Sequence, residues 1–181
     1  MSEHIEQIKQ WAAEFRVDVE AVKRVIEAEG IDVRARQFAA AALNYLVTRM
    51  DLVPDWNETI GFMDDVLVLR VYMDLAGAYQ VQQGLDGDTW ARVDRMIKDA
   101  IVIEDFLGEE LFAKLRKHCT RLSETAVRGR RPESIVGDAG ARKALYDEIH
   151  DDLARIPVAT FDDPERIAVH FTSYLHHKLN Q

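Results

Sequence analysis

The sequence predicts an all-α protein, a single multi-helix bundle of about eight helices around a buried central helix. Apolar residues recur three and four positions apart along most of the chain, which is the spacing of one helix face. Serine or aspartate precedes many of these stretches, and glycine or proline follows them, as at helix ends. The chain has 181 residues, of which 48% are hydrophobic. A chain of this size can bury one full core without disulfides or structural zinc.

The first three helices are predicted from residues that favour the N-cap position. These N-caps are Ser2, Asp18 and Asp32. The second helix is expected to end at Gly30 and the third at about Met50.

The fourth helix is predicted over about residues 64–83, with Asp64 as its N-cap. Residues 66–76 are apolar on nearly every side, a composition typical of a helix covered by several neighbours. We therefore expect it to be the central helix. Arg70 interrupts the apolar run, and Asp74, four residues later, is its expected partner on the helix surface.

Four more helices are predicted in the second half of the chain. Their starts are marked by Asp88, Gly108, Asp138 and Asp163. Residues 124–137 show little periodicity and are predicted to be a linker. The domain prediction is one all-α domain over 1–181, and whether the C-terminal helical pair 138–181 packs on the rest stays open.

The charge balance narrows the classes of partner. The chain carries 23 Lys and Arg against 32 Asp and Glu, a net charge of -9. Such a surface repels phosphate backbones, so no nucleic-acid partner is expected. The single cysteine, Cys119, is expected in the core, and the acidic N-terminus is unlike a signal peptide; together they predict a cytoplasmic protein.

A membrane-spanning segment is not expected, because charged residues interrupt the most apolar stretch. The basic run Arg128, Arg130 and Arg131 runs against the acidic trend. It could meet an acidic partner, an anionic lipid surface or the protein's own acidic surface. Peripheral membrane contact therefore stays open.

One segment resembles a known family. Tyr45 is followed by Asp51-Leu52-Val53-Pro54-Asp55, and then Gly61 precedes Asp64-Asp65 and an apolar helix. This order resembles the YkvA-like family, a bacterial domain of unknown function. The resemblance implies a helical hairpin at about residues 34–83 and implies no reaction.

The four acids of this segment allow two interpretations. In the first, Asp51, Asp55, Asp64 and Asp65 cap helices or turns, or lie in the first turn of a helix, where the helix dipole favours an acid. In the second, their carboxylates converge and bind Mg²⁺, Mn²⁺ or Ca²⁺, cations that prefer oxygen ligands.

Two functions follow from these interpretations. The first is a non-enzymatic structural or protein-interaction module, with a protein partner or a second copy of the chain. The alternative is a divalent-metal-dependent hydrolase of a phosphorylated substrate that uses the four aspartates. No hydrolase or nucleotide-binding motif occurs, so no catalytic or cofactor-binding residue is predicted.

Overall fold

The computed structural model describes residues 2–48, 52, 58–154 and 163–180, and within these ranges it contains eight α-helices. The helices are α1 (Ser2–Glu27), α2 (Val33–Leu46), α3 (Glu58–Gly77), α4 (Gly87–Leu107), α5 (Glu109–Leu122), α6 (Pro132–Gly137), α7 (Ala139–Leu153) and α8 (Pro164–Leu179). The described ranges contain no strand beyond an isolated bridge between Val127 and Arg130. The all-α fold class is confirmed.

Helix α3 is the centre of the bundle. Residues 66–73 are each at most 2% exposed. Helices α1, α2, α4, α5 and α8 all pack against it. The predicted boundaries are wrong, however, because the helix begins at Glu58 and ends at Gly77. Asp64 therefore lies inside the helix and is not its N-cap.

The first two predicted helices are one continuous helix, α1. Asp18 has the local signature of an N-cap, but it lies in the middle of α1 with only 1% of its surface exposed. Its carboxylate pairs with arginines of α3 and α4. A contact between distant parts of the chain has overridden the local preference.

Three other N-caps are confirmed by their hydrogen bonds. Each carboxylate accepts a backbone N–H of the helix that it begins: Asp32 from Arg34, Asp138 from Ala141, and Asp163 from Arg166. The cap of α4 is Asp86, not Asp88; Asp86 accepts the N–H of Thr89 at 2.9 Å.

The predicted linker 124–137 is wrong. Val127 and Arg130 exchange backbone hydrogen bonds across a tight turn, and the short helix α6 follows. Arg128 and Gly129 have φ of 48° and 77°, a left-handed conformation that suits glycine at the second position. Helix α6 packs on α2, α7 packs on α6 and α2, and α8 packs on α5 and α1.

Candidate functional site

A chain of hydrogen bonds joins the two helices of the hairpin. The hydroxyl of Tyr45, on α2, donates to Oδ2 of Asp64, on α3, at 2.5 Å. The same hydroxyl accepts the backbone N–H of Leu52 at 3.0 Å. All three residues are buried. The hydroxyl of Tyr45 therefore joins α2 both to Asp64 of α3 and to the backbone of Leu52.

The four-aspartate metal site is only partly within the described residues. Asp51 and Asp55 lie outside them. Asp64 is 1% exposed and Asp65 is half-buried, both on α3. Across 2–48, 52, 58–154 and 163–180, no group of three or more His, Cys, Asp or Glu side chains could hold a metal ion. The site with Mg²⁺, Mn²⁺ or Ca²⁺ stays a prediction.

A buried ion-pair network, here called the Arg70 cluster, joins three helices. It consists of Arg70 on α3, Asp18 on α1, and Arg92 and Asp99 on α4. Arg70 donates to Asp18 at 2.7 Å and to Asp99 at 2.9 Å, and the side chains of Arg70 and Asp18 are each 2% exposed. Arg92 donates to the other oxygen of Asp18 at 2.7 Å.

Two further interactions surround the cluster. The guanidinium of Arg70 lies 4.4 Å from the ring centre of Trp11, within cation–π distance. Burial raises the pKa of Asp99, and the positive charge of Arg70 opposes that rise.

The predicted surface pair Arg70–Asp74 is wrong, since Asp74 pairs with Arg116 of α5. An arginine inside an otherwise apolar, buried stretch was the one sequence signal for this network.

A small cavity of about 80 Å³ lies where α2, α3 and α5 meet. Its polar lining comes from Asn44, Tyr45, Thr48, Tyr72 and His118. Asn44 is 1% exposed, and its amide nitrogen donates to the carbonyl of Arg130 at 3.2 Å. Its Oδ1 has no hydrogen-bond partner among the described residues. Leaving a buried acceptor unpaired costs about 1–3 kcal/mol, so the cavity suits water or another small donor.

The turn after α5 closes one side of this cavity and is held by α7. Val127 lines the cavity, and the guanidinium of Arg130 donates twice to Glu148, at 2.7 and 2.8 Å. Arg128 adds a bond to Glu148 at 3.0 Å. These bonds lower the pKa of Glu148 to about 2. Of the possibilities for the basic run, contact with the protein's own acidic surface is the one observed for Arg128 and Arg130.

A wider groove of about 650 Å³ lies between α5 and α8, here called the α5–α8 groove. Its charged and titratable lining is Lys114, Lys117, His118, Arg121, Glu124 and Lys178. Burial, and then the charge of Arg121, lowers the pKa of His118. Nδ1 of His118 lies 3.2 Å from the guanidinium of Arg121, which can only donate. His118 therefore accepts at Nδ1 as a neutral imidazole.

Cys119 follows His118 in the chain but does not line the groove, and it is fully buried. Burial raises the pKa of its thiol above the usual value, so the reactive thiolate is disfavoured. The prediction of a core cysteine is confirmed.

Among the described helices, none combines the length and apolar character needed to cross a membrane.

Comparison with known proteins identifies one part of the chain. Residues 35–70 match the model of a family described as a protein of unknown function, DUF1232. No curated protein and no solved structure matches the chain. The matched segment contains most of α2 and most of α3, including Tyr45, Asp64 and Arg70. Residues 35–70 are thus similar to a family of unknown function, a match that is consistent with the YkvA-like resemblance.

Proposed function

We propose that this protein is a non-enzymatic interaction module in which the segment 35–70 is the internal frame and the outer helices bind a partner. The observation that carries the proposal is the hydrogen bond between Asp64 of α3 and Tyr45 of α2. The carboxylate of Asp64 is buried and accepts the hydroxyl of Tyr45, so one of the four candidate metal ligands has a role in joining α2 to α3.

Other polar side chains of the segment support the same proposal. Arg70 binds carboxylates of α1 and α4, and Asn44 binds the turn after α5. Each of these bonds joins the segment to a different part of the bundle. Buried polar side chains that bond neighbouring helices in this way are typical of a structural core that holds the outer helices in place.

The partner surface is expected on helices that the core leaves accessible. Large apolar side chains are exposed on α1, α4 and α8: Val17, Ile101 and Val169. Self-association through such positions would appear as a mass above 20.7 kDa in sedimentation. A monomer at high concentration would limit the proposal to a different protein partner.

A thermal-shift titration separates this proposal from the hydrolase alternative. A metal that binds only the folded state raises the melting temperature by mass action. We expect no shift with millimolar Mg²⁺, Mn²⁺ or Ca²⁺ relative to EDTA. A shift that the Asp55→Ala, Asp65→Ala double variant abolishes would favour the metal-dependent hydrolase.

A double-mutant cycle tests the role of Asp64 directly. Tyr45→Phe removes the hydroxyl that serves both Asp64 and Leu52 N–H, and we expect a loss of about 1–3 kcal/mol of unfolding free energy. Asp64→Asn added to Tyr45→Phe should cost less than the sum of the two single losses, because the residues interact. Strict additivity would contradict the proposed role.

A further inference from the structure

The α5–α8 groove gathers positive charge in a chain of net charge -9. Lys114, Lys117, His118 and Arg121 are spaced at i, i+3, i+4 and i+7, so α5 presents them on one face. Lys178 of α8 lines the same groove. The groove is thus lined by three lysines and one arginine, besides the neutral His118, and by one acid, Glu124.

Most of these cations lack an acidic partner. Lys114 bonds Glu110 at 2.6 Å and Asn180 at 2.7 Å. Within the described ranges, Lys117, Arg121 and Lys178 form no ion pair with a carboxylate. Among the described residues no carboxylate neutralises these three exposed side chains, so the groove can accept an external anion.

Arg121 is oriented for such a role. Its guanidinium contacts Nδ1 of the neutral His118, which restricts the side chain without cancelling its charge. A guanidinium fork matches the geometry of phosphate oxygens, and flanking ammonium groups add point charges. The volume of about 650 Å³ is within the range of small-molecule sites.

We propose that the α5–α8 groove binds a compact polyanion bearing phosphate groups, through Lys117, Arg121 and Lys178. The phosphate groups belong either to a free small molecule or to the headgroup of a lipid. The groove is formed by α5 and α8, outside residues 35–70, so its ligand does not depend on the role proposed for Asp64.

Calorimetric titration with tripolyphosphate at about 0.1 M salt tests the proposal, since this salt screens charges beyond about 10 Å. We expect saturable binding that weakens about tenfold or more in the Lys117→Gln, Lys178→Gln double variant. The matched control is Lys98→Gln, Lys143→Gln, which removes the same charge from exposed lysines on α4 and α7. This control should bind within about twofold of the wild type.

A second arm distinguishes the two sources of phosphate. Co-sedimentation with phosphatidylcholine vesicles, with and without phosphatidic acid, is compared for the wild type and both double variants. Binding to the acidic vesicles that requires Lys117 and Lys178 supports a lipid headgroup, and binding to tripolyphosphate alone supports a free ligand. Failure to bind either probe overturns the proposal, as does an equal loss in the control variant. Circular dichroism of each variant confirms that a loss of binding is not a loss of folding.

Discussion

Replacing Asp18 by asparagine tests the Arg70 cluster most directly. The change keeps the shape of the side chain but removes a carboxylate that accepts from Arg70 and Arg92, each at 2.7 Å. The new amide NH₂ group also faces a guanidinium, and two donors repel each other. Breaking a buried ion pair by removing one partner costs about 3–5 kcal/mol.

The lower end of that range applies here. Asp99 keeps its contact with Arg70 at 2.9 Å, so the buried guanidinium retains one counter-charge. We therefore expect Asp18→Asn to lower the unfolding free energy by about 3 kcal/mol. For a chain of this length the melting temperature should fall by about 6–12 °C.

Urea unfolding followed by far-UV circular dichroism measures the loss by linear extrapolation. The matched control is Asp94→Asn, the same chemical change on α4, where Asp94 forms a more exposed i,i+4 pair with Lys98. The control should lose no more than about 0.5 kcal/mol. A loss below about 1 kcal/mol for Asp18→Asn, or one equal to the control, would refute the idea that this network holds α1 on α3 and α4.

Three further predictions concern other parts of the bundle. The pKa of Glu148 is lowered to about 2 from an ordinary value of 4.5, so its stabilising effect is present above pH 4.5 and is lost as the pH falls towards 2. Glu148→Gln should cost about 1 kcal/mol at pH 7, a figure reduced for partial exposure, and urea titrations should show the gap from wild type closing near pH 2. Gly108 has φ of 79° and ψ of 153°, a backbone region that is essentially restricted to glycine, so Gly108→Ala should cost about 1–3 kcal/mol through backbone strain despite the open space around it. Gly87→Ala, also in open space but without a positive φ, should be near neutral in the same assay. Cys119 should react with a thiol reagent only at the rate of unfolding, and fast labelling of the native protein would contradict its burial.

The parts of the fold that local chemistry decides could be predicted from the sequence. Asp32, Asp138 and Asp163 begin helices as expected, because each carboxylate satisfies an amide only a few residues away. The central position of α3 followed from its apolar composition, since a helix without a polar face must be covered on all sides.

Two of the errors arose where a distant residue decides the structure. Asp18 and Asp64 look like N-caps locally, yet the first is bound by Arg70 and the second by Tyr45. Neither partner is a sequence neighbour, so no helical spacing indicates the pairing. The α5–α8 groove was missed for the same reason: the spacing along α5 is visible in the sequence, but Lys178 reaches the groove only through the packing of α8.

The position of Arg70 also limits what the family segment can do alone. Arg70 is the last residue of the match at 35–70, and both of its carboxylate partners lie beyond that match, on α1 and α4. A fragment cut at the family boundaries would carry the arginine without its counter-charges, and a graft into another bundle would have to bring Asp18 and Asp99 with it. The smallest transferable unit of this protein is therefore larger than the stretch that matches the family model.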